Sequence, residues 1–228
     1  MSFIVAIDGT AGSGKGTISN IIAKELNLTN IDTGATYRCV ALATIKKNIK
    51  LEEKEKIIAL LDKISIDIKV DGQNQIFLLD GEDVSEKIRS AEVTAIVSQI
   101  SAIPEVRLKL VELQRKLAQG KNVIMDGRDI GTYVFPNANV KIYLDASVEK
   151  RAERRFEENK LKGIKTSYEE VLENIKMRDR QDKAKKIGAL KIAEDAIVID
   201  TSNLAIEEVA EKVKEVIKKK EKYSKWTK

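Results

Sequence analysis

Nine residues, Gly9-Thr10-Ala11-Gly12-Ser13-Gly14-Lys15-Gly16-Thr17, carry the most specific chemistry in this 228-residue chain. Glycines at 9, 12, 14 and 16 let the backbone curl until successive N–H groups converge on one point, the geometry that cradles a phosphate. An apolar run, Phe3–Ile7, precedes the segment and a helical pattern follows it, so the positive end of a helix faces the same point. Lys15 has the reach for β- and γ-phosphate oxygens, and Thr17 supplies a hydroxyl nearby. The competing explanation is a glycine-rich turn that binds nothing. At ~7% average glycine usage, four glycines at these offsets arise by chance roughly once in 40,000 positions. The segment is expected to bind a nucleoside triphosphate.

Two further segments combine charge with tight turns. Asp32-Thr33-Gly34-Ala35-Thr36-Tyr37-Arg38 places an arginine one helical turn beyond a glycine, where its planar fork could grip a phosphate. Asp126-Gly127-Arg128-Asp129-Ile130-Gly131-Thr132 follows an apolar run and brackets an arginine and a carboxylate with glycines. Taken singly, a surface arginine near a helix start and a solvated loop explain these segments as well as a site does. A guanine-reading N-K-x-D is absent from the sequence, which argues against a GTPase.

These side chains need a scaffold, and the hydrophobic pattern supplies one. Phe3–Ile7, Val123–Met125, Val140–Leu144 and Ala196–Ile199, with the weaker Leu28–Ile31, are short apolar runs without a polar face, each followed by an aspartate or a loop. Helical patterns lie between them, such as Ile18, Ile21, Ile22 and Val93, Ile96, Val97, Ile100. The alternation predicts an α/β domain with a five-stranded parallel sheet covered on both faces, of the P-loop NTPase type. Pro104 should open a helix and Gly120 close it. Functional residues should gather beyond the carboxyl ends of the strands, where Asp8, Asp32, Asp126 and Asp145 stand. One segment breaks the rhythm. Ile64, Ile66, Ile68 and Val70 alternate with polar residues, then come Asp71-Gly72 and Ile76–Leu79, the pattern of an antiparallel hairpin. The expected organisation from the pattern is a core interrupted by an inserted lobe at about 60–90, with a basic tail, 218–228.

The charge balance adds little. Lys and Arg number 41 and Asp and Glu 36, a net charge of +5, and residues 218–228, with six lysines and one glutamate, account for all of it. A basic tail of this kind is expected to be solvated, so nucleic acid is not expected as a partner. The short N-terminal apolar stretch, the absence of a long apolar segment and the single cysteine, with no histidine, are expected of a soluble cytoplasmic protein without membrane partner, disulfide or resident metal site.

Together the motifs closely resemble those of bacterial cytidylate kinases, within the nucleoside monophosphate kinases. The resemblance rests on the G-K-G-T ending of the phosphate loop, D-T-G-x-x-Y-R at 32–38, D-G-R-D-x-G-T at 126–132 and V-F-P at 134–136. It extends through V-S-Q at 97–99, P-x-V-R at 104–107, K-I-Y-L-D-A-S at 141–147 and R-A-x-R-R at 151–155, covering nearly all of residues 3–215. The resemblance implies a single P-loop kinase domain over 1–217, with its core at 1–59, 91–150 and 186–217, the insert at about 60–90 as a monophosphate-binding lobe and a lid at about 151–185. It implies transfer of the γ-phosphoryl group of ATP to CMP or dCMP, with Mg²⁺ delivered by ATP. It implies that Ser98, Arg107 and Asp129 read cytosine, that Arg38 and Arg128 clamp the acceptor phosphate near Thr33, that Arg178 touches the transferring phosphates, and that Asp182 meets the ribose hydroxyls. Lys15, Arg128 and Arg178 are then the expected catalytic cations. Lys185 stands where the family has arginine, which keeps the charge and loses the fork. Arg151, Arg154 and Arg155 share a predicted helix face at the start of the lid, available to phosphates or to Glu157 and Glu158 as a solvated face. A monomer is expected. A kinase for another small acceptor, or a nucleotide-binding protein contacting RNA through its tail, are the other readings the sequence admits.

Overall fold

The computed structural model describes residues 2–71 and 74–224. The five apolar runs form five parallel strands: β1 (Ile4–Gly9), β2 (Thr29–Asp32), β6 (Val123–Gly127), β7 (Val140–Asp145) and β8 (Ile197–Asp200), in the order β2-β6-β1-β7-β8. Val5, Ala6, Ile7, Val123, Ile124 and Met125 are fully buried, because helices cover both faces of the centre of the sheet. One face packs on α1 (Lys15–Glu25) and α8 (Ile206–Ser224) through Ile18, Ile22, Val209 and Val213. The other packs Ile31 and Met125 against Val111 and Ala118 of α5 (Pro104–Ala118). Pro104 occupies the first turn of α5, and Gly120, φ +71°, follows its end, as the sequence predicts.

The third layer joins the lobe to the core. In it α2 (Thr33–Lys46), α3 (Lys54–Leu61) and α4 (Ala91–Ile100) bury Val40, Ile57, Val93 and Ile100 together with Phe77 and Leu79. The last two belong to the hairpin, β3 (Ile66–Asp71) paired antiparallel with β4 (Asn74–Leu79); the turn at Gly72 and Gln73 lies outside the described residues. A two-residue strand, β5 (Glu82–Asp83), and a 3-10 turn at Lys87–Arg89 complete the lobe; neither has enough residues to show a period in sequence. The segment expected as a lid forms a helix pair, α6 (Val148–Leu161) and α7 (Tyr168–Lys183), packed through Ala152, Val171 and Ile175. Ser167 and Glu170 form a reciprocal capping box at the start of α7, worth about 1 kcal/mol. The basic segment begins inside α8, which runs through Ser224, so residues 218–224 continue a helix; 225–228 lie outside the described residues. Among the described residues, no helix is long and apolar enough to cross a membrane.

Candidate active site

A cleft of about 1250 Å³ opens beyond the carboxyl ends of the strands, lined by Gly12–Thr17, Arg38, Asp126, Arg128, Arg154 and Arg155. On its floor β1 ends at Gly9 and α1 begins at Lys15, with Thr10–Gly14 as the loop between them. Gly14 caps α1 without any side chain and no acidic residue stands in the first turn, so the helix start is left to an anion. Gly9, Thr10 and Ala11 are buried beneath the loop, while Gly16 and Thr17 are exposed to the cleft. Lys15 folds over the loop and donates to the Thr10 carbonyl at 2.6 Å.

Asp126 is the penultimate residue of β6, next to β1 and directly across from Asp32 in the β2–β6 register. Burial first, then the Asp32 carboxylate, pushes Asp126 up to about 7, with Lys15 and Arg128 opposing. Asp8, also buried, is raised to about 6 by desolvation, although it accepts from the backbone N–H groups of Ile130 and Gly131, each at 2.7 Å.

The cations of the site disfavour one another. Burial, then Arg128 and Arg178, hold Lys15 well below its ordinary value. Burial and Arg128, then Arg38 and Arg155, bring Arg178 down to about 10 against the opposing Asp182. Arg38 is lowered by burial and by Arg89, Arg155 and Arg128, with Asp32 opposing. Cations kept close at a mutual cost are relieved by a multiply charged anion.

The residues expected to hold the acceptor divide into two layers. Arg38 lines the cleft and is aimed from α2 by bonds to the Ile88 carbonyl (3.1 Å) and Thr94 Oγ1 (2.9 Å), both outside α2. Arg128 also lines it, and its Nε donates to Asp182 Oδ2 at 2.9 Å. Asp182 is held from its other side by buried Lys185, 2.6 Å from Oδ1; two cations, Arg128 before Lys185, hold its carboxyl at about 2 despite burial. Thr33 turns away from the cleft, and its hydroxyl donates to the Asp126 carbonyl at 2.7 Å, locking β2 to β6.

Behind this wall lies the second layer. Arg107, 2% exposed, and Asp129, 4% exposed, form a hydrogen-bonded ion pair. The guanidinium also donates to the Ser101 carbonyl (3.1 Å) and lies over the Tyr37 ring, 5.2 Å from its centroid. Ser98 Oγ and Arg107 Nε are buried without a hydrogen-bond partner among the described residues. Gly188, φ +60°, crosses directly over the pair: a Cβ there would stand 2.1 Å from the Asp129 carboxylate. Burial raises Asp129 while Arg107 pulls it back.

The three lid arginines do not share one role. Arg155 pairs with Glu158 at 3.2 Å at the cleft edge. Arg154 also lines the cleft, and it binds Thr201, through Oγ1 at 3.1 Å and the carbonyl, in the loop after β8. Arg151, expected beside them on one face, is turned inward and 5% exposed, because the first turn of α6 abuts the phosphate loop. Sequence reasoning placed Asp8 at a strand end without giving it a role, and missed Asp179, Tyr37 and Gly188. The signal for Asp179 was its place beside Arg178; for Tyr37, its place beside Arg38.

The sequence model of the cytidylate kinase family matches residues 5–219. A cytidylate kinase of Caldicellulosiruptor saccharolyticus is 53% identical over 215 residues, covering 94% of this chain and 95% of that protein. One from Caldanaerobacter subterraneus subsp. tengcongensis is 53% identical over 218 residues, covering 96% of each. Among solved structures, an uncharacterized protein from Eubacterium ventriosum superposes with a TM-score of 0.51 at 11% identity, over 95% of this chain and 99% of that one, a likeness of fold alone.

Proposed function

The chain belongs to the cytidylate kinase family, and on that premise we propose that it transfers the γ-phosphoryl group of ATP to CMP or dCMP, giving ADP and CDP or dCDP, as a cytoplasmic monomer of pyrimidine nucleotide metabolism. The observation that carries the reading is the pairing of a cleft full of mutually repelling cations with a buried polar layer behind it. The triphosphate lies along residues 9–17. Lys15 leaves the Thr10 carbonyl for the β- and γ-phosphates, and the N–H groups at the start of α1 hold the same oxygens.

Arg38 and Arg128 clamp the acceptor phosphate. An α-phosphate oxygen of CMP attacks the γ-phosphorus as the bond to the β-phosphate oxygen breaks, and ADP leaves. The attacking oxygen is already anionic, so no side chain has to act as a covalent nucleophile. Lys15, Arg128 and Arg178 neutralise charge on the moving group, and their fixed placement supplies most of the rate. Arg154 and Arg155 draw the lid over the cleft, and its closure excludes water that would otherwise take the phosphoryl group.

Asp126 fits the magnesium that travels with ATP: its Oδ1 is buried without a partner among the described residues, and its Oδ2 points toward Gly16 in the phosphate loop. With Asp32 it would hold the ion's water shell, and the bound ion supplies charge neutralisation at the β- and γ-oxygens. Cytosine is read by Asp129, which accepts from the 4-amino group, with Arg107 and Ser98 serving ring N3 and the 2-oxo group. Uracil turns an acceptor toward the same carboxylate and is repelled. Asp182, set between Arg128 and Lys185, meets the ribose. Phosphorus NMR of the protein with Mg-ATP and CMP tests the reaction. Resonances of ADP and CDP should appear together, and Lys15→Met should abolish them; ADP and inorganic phosphate without CDP would refute transfer to CMP.

A further inference from the structure

The mechanism leaves unused a buried ion pair at the junction of lid and phosphate loop. Arg151 stands in the first turn of α6. Its Nε donates to the Ala146 carbonyl (2.9 Å), and one terminal nitrogen donates to the Ala11 carbonyl (3.1 Å) and to Asp179 Oδ2 (2.6 Å). The other oxygen of Asp179 accepts from the Ala11 N–H at 3.4 Å. Both backbone polar groups of Ala11 are therefore read by one pair, whose members are 5% and 9% exposed. The next residue, Gly12, passes so close that a Cβ there would lie 3.3 Å from Arg151 Cβ. Asp179 directly follows Arg178, which feels Arg128 and Arg38 across the site.

We propose that Arg151 and Asp179 are positioning residues that dock both lid helices on residues 11–12 of the phosphate loop and so set Arg178 in register with the phosphates that the loop holds. Neither touches a nucleotide. Two bonds hold the N–H and the carbonyl of Ala11, a third holds the Ala146 carbonyl and a fourth joins the two side chains, so a side chain one residue away on α7 has a fixed distance to the loop. Without the dock, α6 and α7 still pack on each other through Ala152, Val171 and Ile175 but lose this link to the loop. An error of about 1 Å at a charge-neutralising group costs on the order of 10² in rate. The proposal rests on the phosphoryl-transfer reading of this cleft.

A double-mutant cycle between Asp179→Asn and Arg178→Ala tests it, measured as kcat and as KM for ATP and for CMP. Asp179→Asn in the wild-type background should lower kcat on the order of 10²-fold and raise KM for ATP, with KM for CMP unchanged. In the Arg178→Ala background the same change should cost less than about threefold, because the register it sets no longer serves a group. Equal losses in both backgrounds, or wild-type kinetics for Asp179→Asn, would overturn the proposal.

Arg151→Met with Asp179→Leu separates positioning from folding, since it replaces a buried ion pair by apolar groups. Because the Ala11 and Ala146 backbone groups lose their partners, this double variant should melt below the wild type yet stay folded at the assay temperature and keep the kcat defect; recovery of wild-type kcat would show the pair to be purely structural. If Asp179→Asn does not fold, the double variant alone decides by the same kcat criterion. Failure of the wild type to phosphorylate CMP would instead refute the functional reading, a distinct outcome.

Discussion

Replacing Asp129 probes the buried layer, and the structure sets the size of two separate effects. Asp129→Ala leaves Arg107 buried without its counter-ion, which typically costs 3–5 kcal/mol. The Ser101 carbonyl and the Tyr37 ring still face the guanidinium, so about 3 kcal/mol is expected here, a fall in melting temperature of roughly 6–12 °C for a chain of this size. Asp129→Asn keeps the shape and one acceptor, and should melt much closer to the wild type. Its effect on substrate choice is the sharper readout. Asparagine can turn a donor toward uracil, and CMP loses a charge-assisted hydrogen bond worth about 1.5–3 kcal/mol, or about 10- to 150-fold in kcat/KM. The assay is coupled ADP release with CMP and with UMP on a variant shown to be folded by circular dichroism. A folded Asp129→Asn protein with the wild-type CMP-to-UMP ratio would refute the assignment of Asp129 as the base reader.

Three other outcomes follow from the same geometry. Arg128→Ala should lower kcat/KM for CMP on the order of 10²–10⁴-fold while ATP binding by calorimetry stays close to the wild type. Asp8 is raised to about 6 in the folded chain, against an ordinary value of 3.8, so the native state binds its proton more tightly than the unfolded state does. Its contribution to stability therefore falls as pH rises from about 4 to about 6 and is level above that. The melting temperature of wild type minus that of Asp8→Asn should decline across that window, and a rise would contradict the burial argument. Deleting residues 218–228 should leave kcat and nucleotide preference unchanged, because Ile217, the last apolar residue of α8 in the sheet-facing core, is retained; a lost preference would place the tail in the site.

The sheet was legible because its central strands, β1, β6 and β7, are apolar runs buried on both faces; the edge strands depart from that pattern, Ile197 and Val198 of β8 being exposed and β2 carrying Thr29 and Asn30. The phosphate loop was legible because its glycines, lysine and flanking elements constrain one another. The lobe was legible as far as its alternation ran, through Ile66, Ile68 and Ile76–Leu79. The π-helical turn at Ile130–Val134 was not, because the Ile130 and Gly131 amides that open it go to Asp8, a partner far away in sequence. Arg151 shows the same limit: spacing placed it on a face with Arg154 and Arg155, but spacing cannot say that the first turn of that helix meets another element. The buried layer was foreshadowed residue by residue through the family resemblance, yet its closure by Gly188 depends on a loop with no periodic pattern at all.

The central claim is that this cleft accepts cytidine monophosphates in preference to others. It is tested most directly by kcat/KM for ADP release across CMP, dCMP, UMP, AMP and GMP at fixed saturating Mg-ATP. CMP and dCMP should exceed the other three by on the order of 10²-fold or more, the scale set by leaving a buried hydrogen-bonding group unmatched. Equal rates for UMP or AMP would contradict the account.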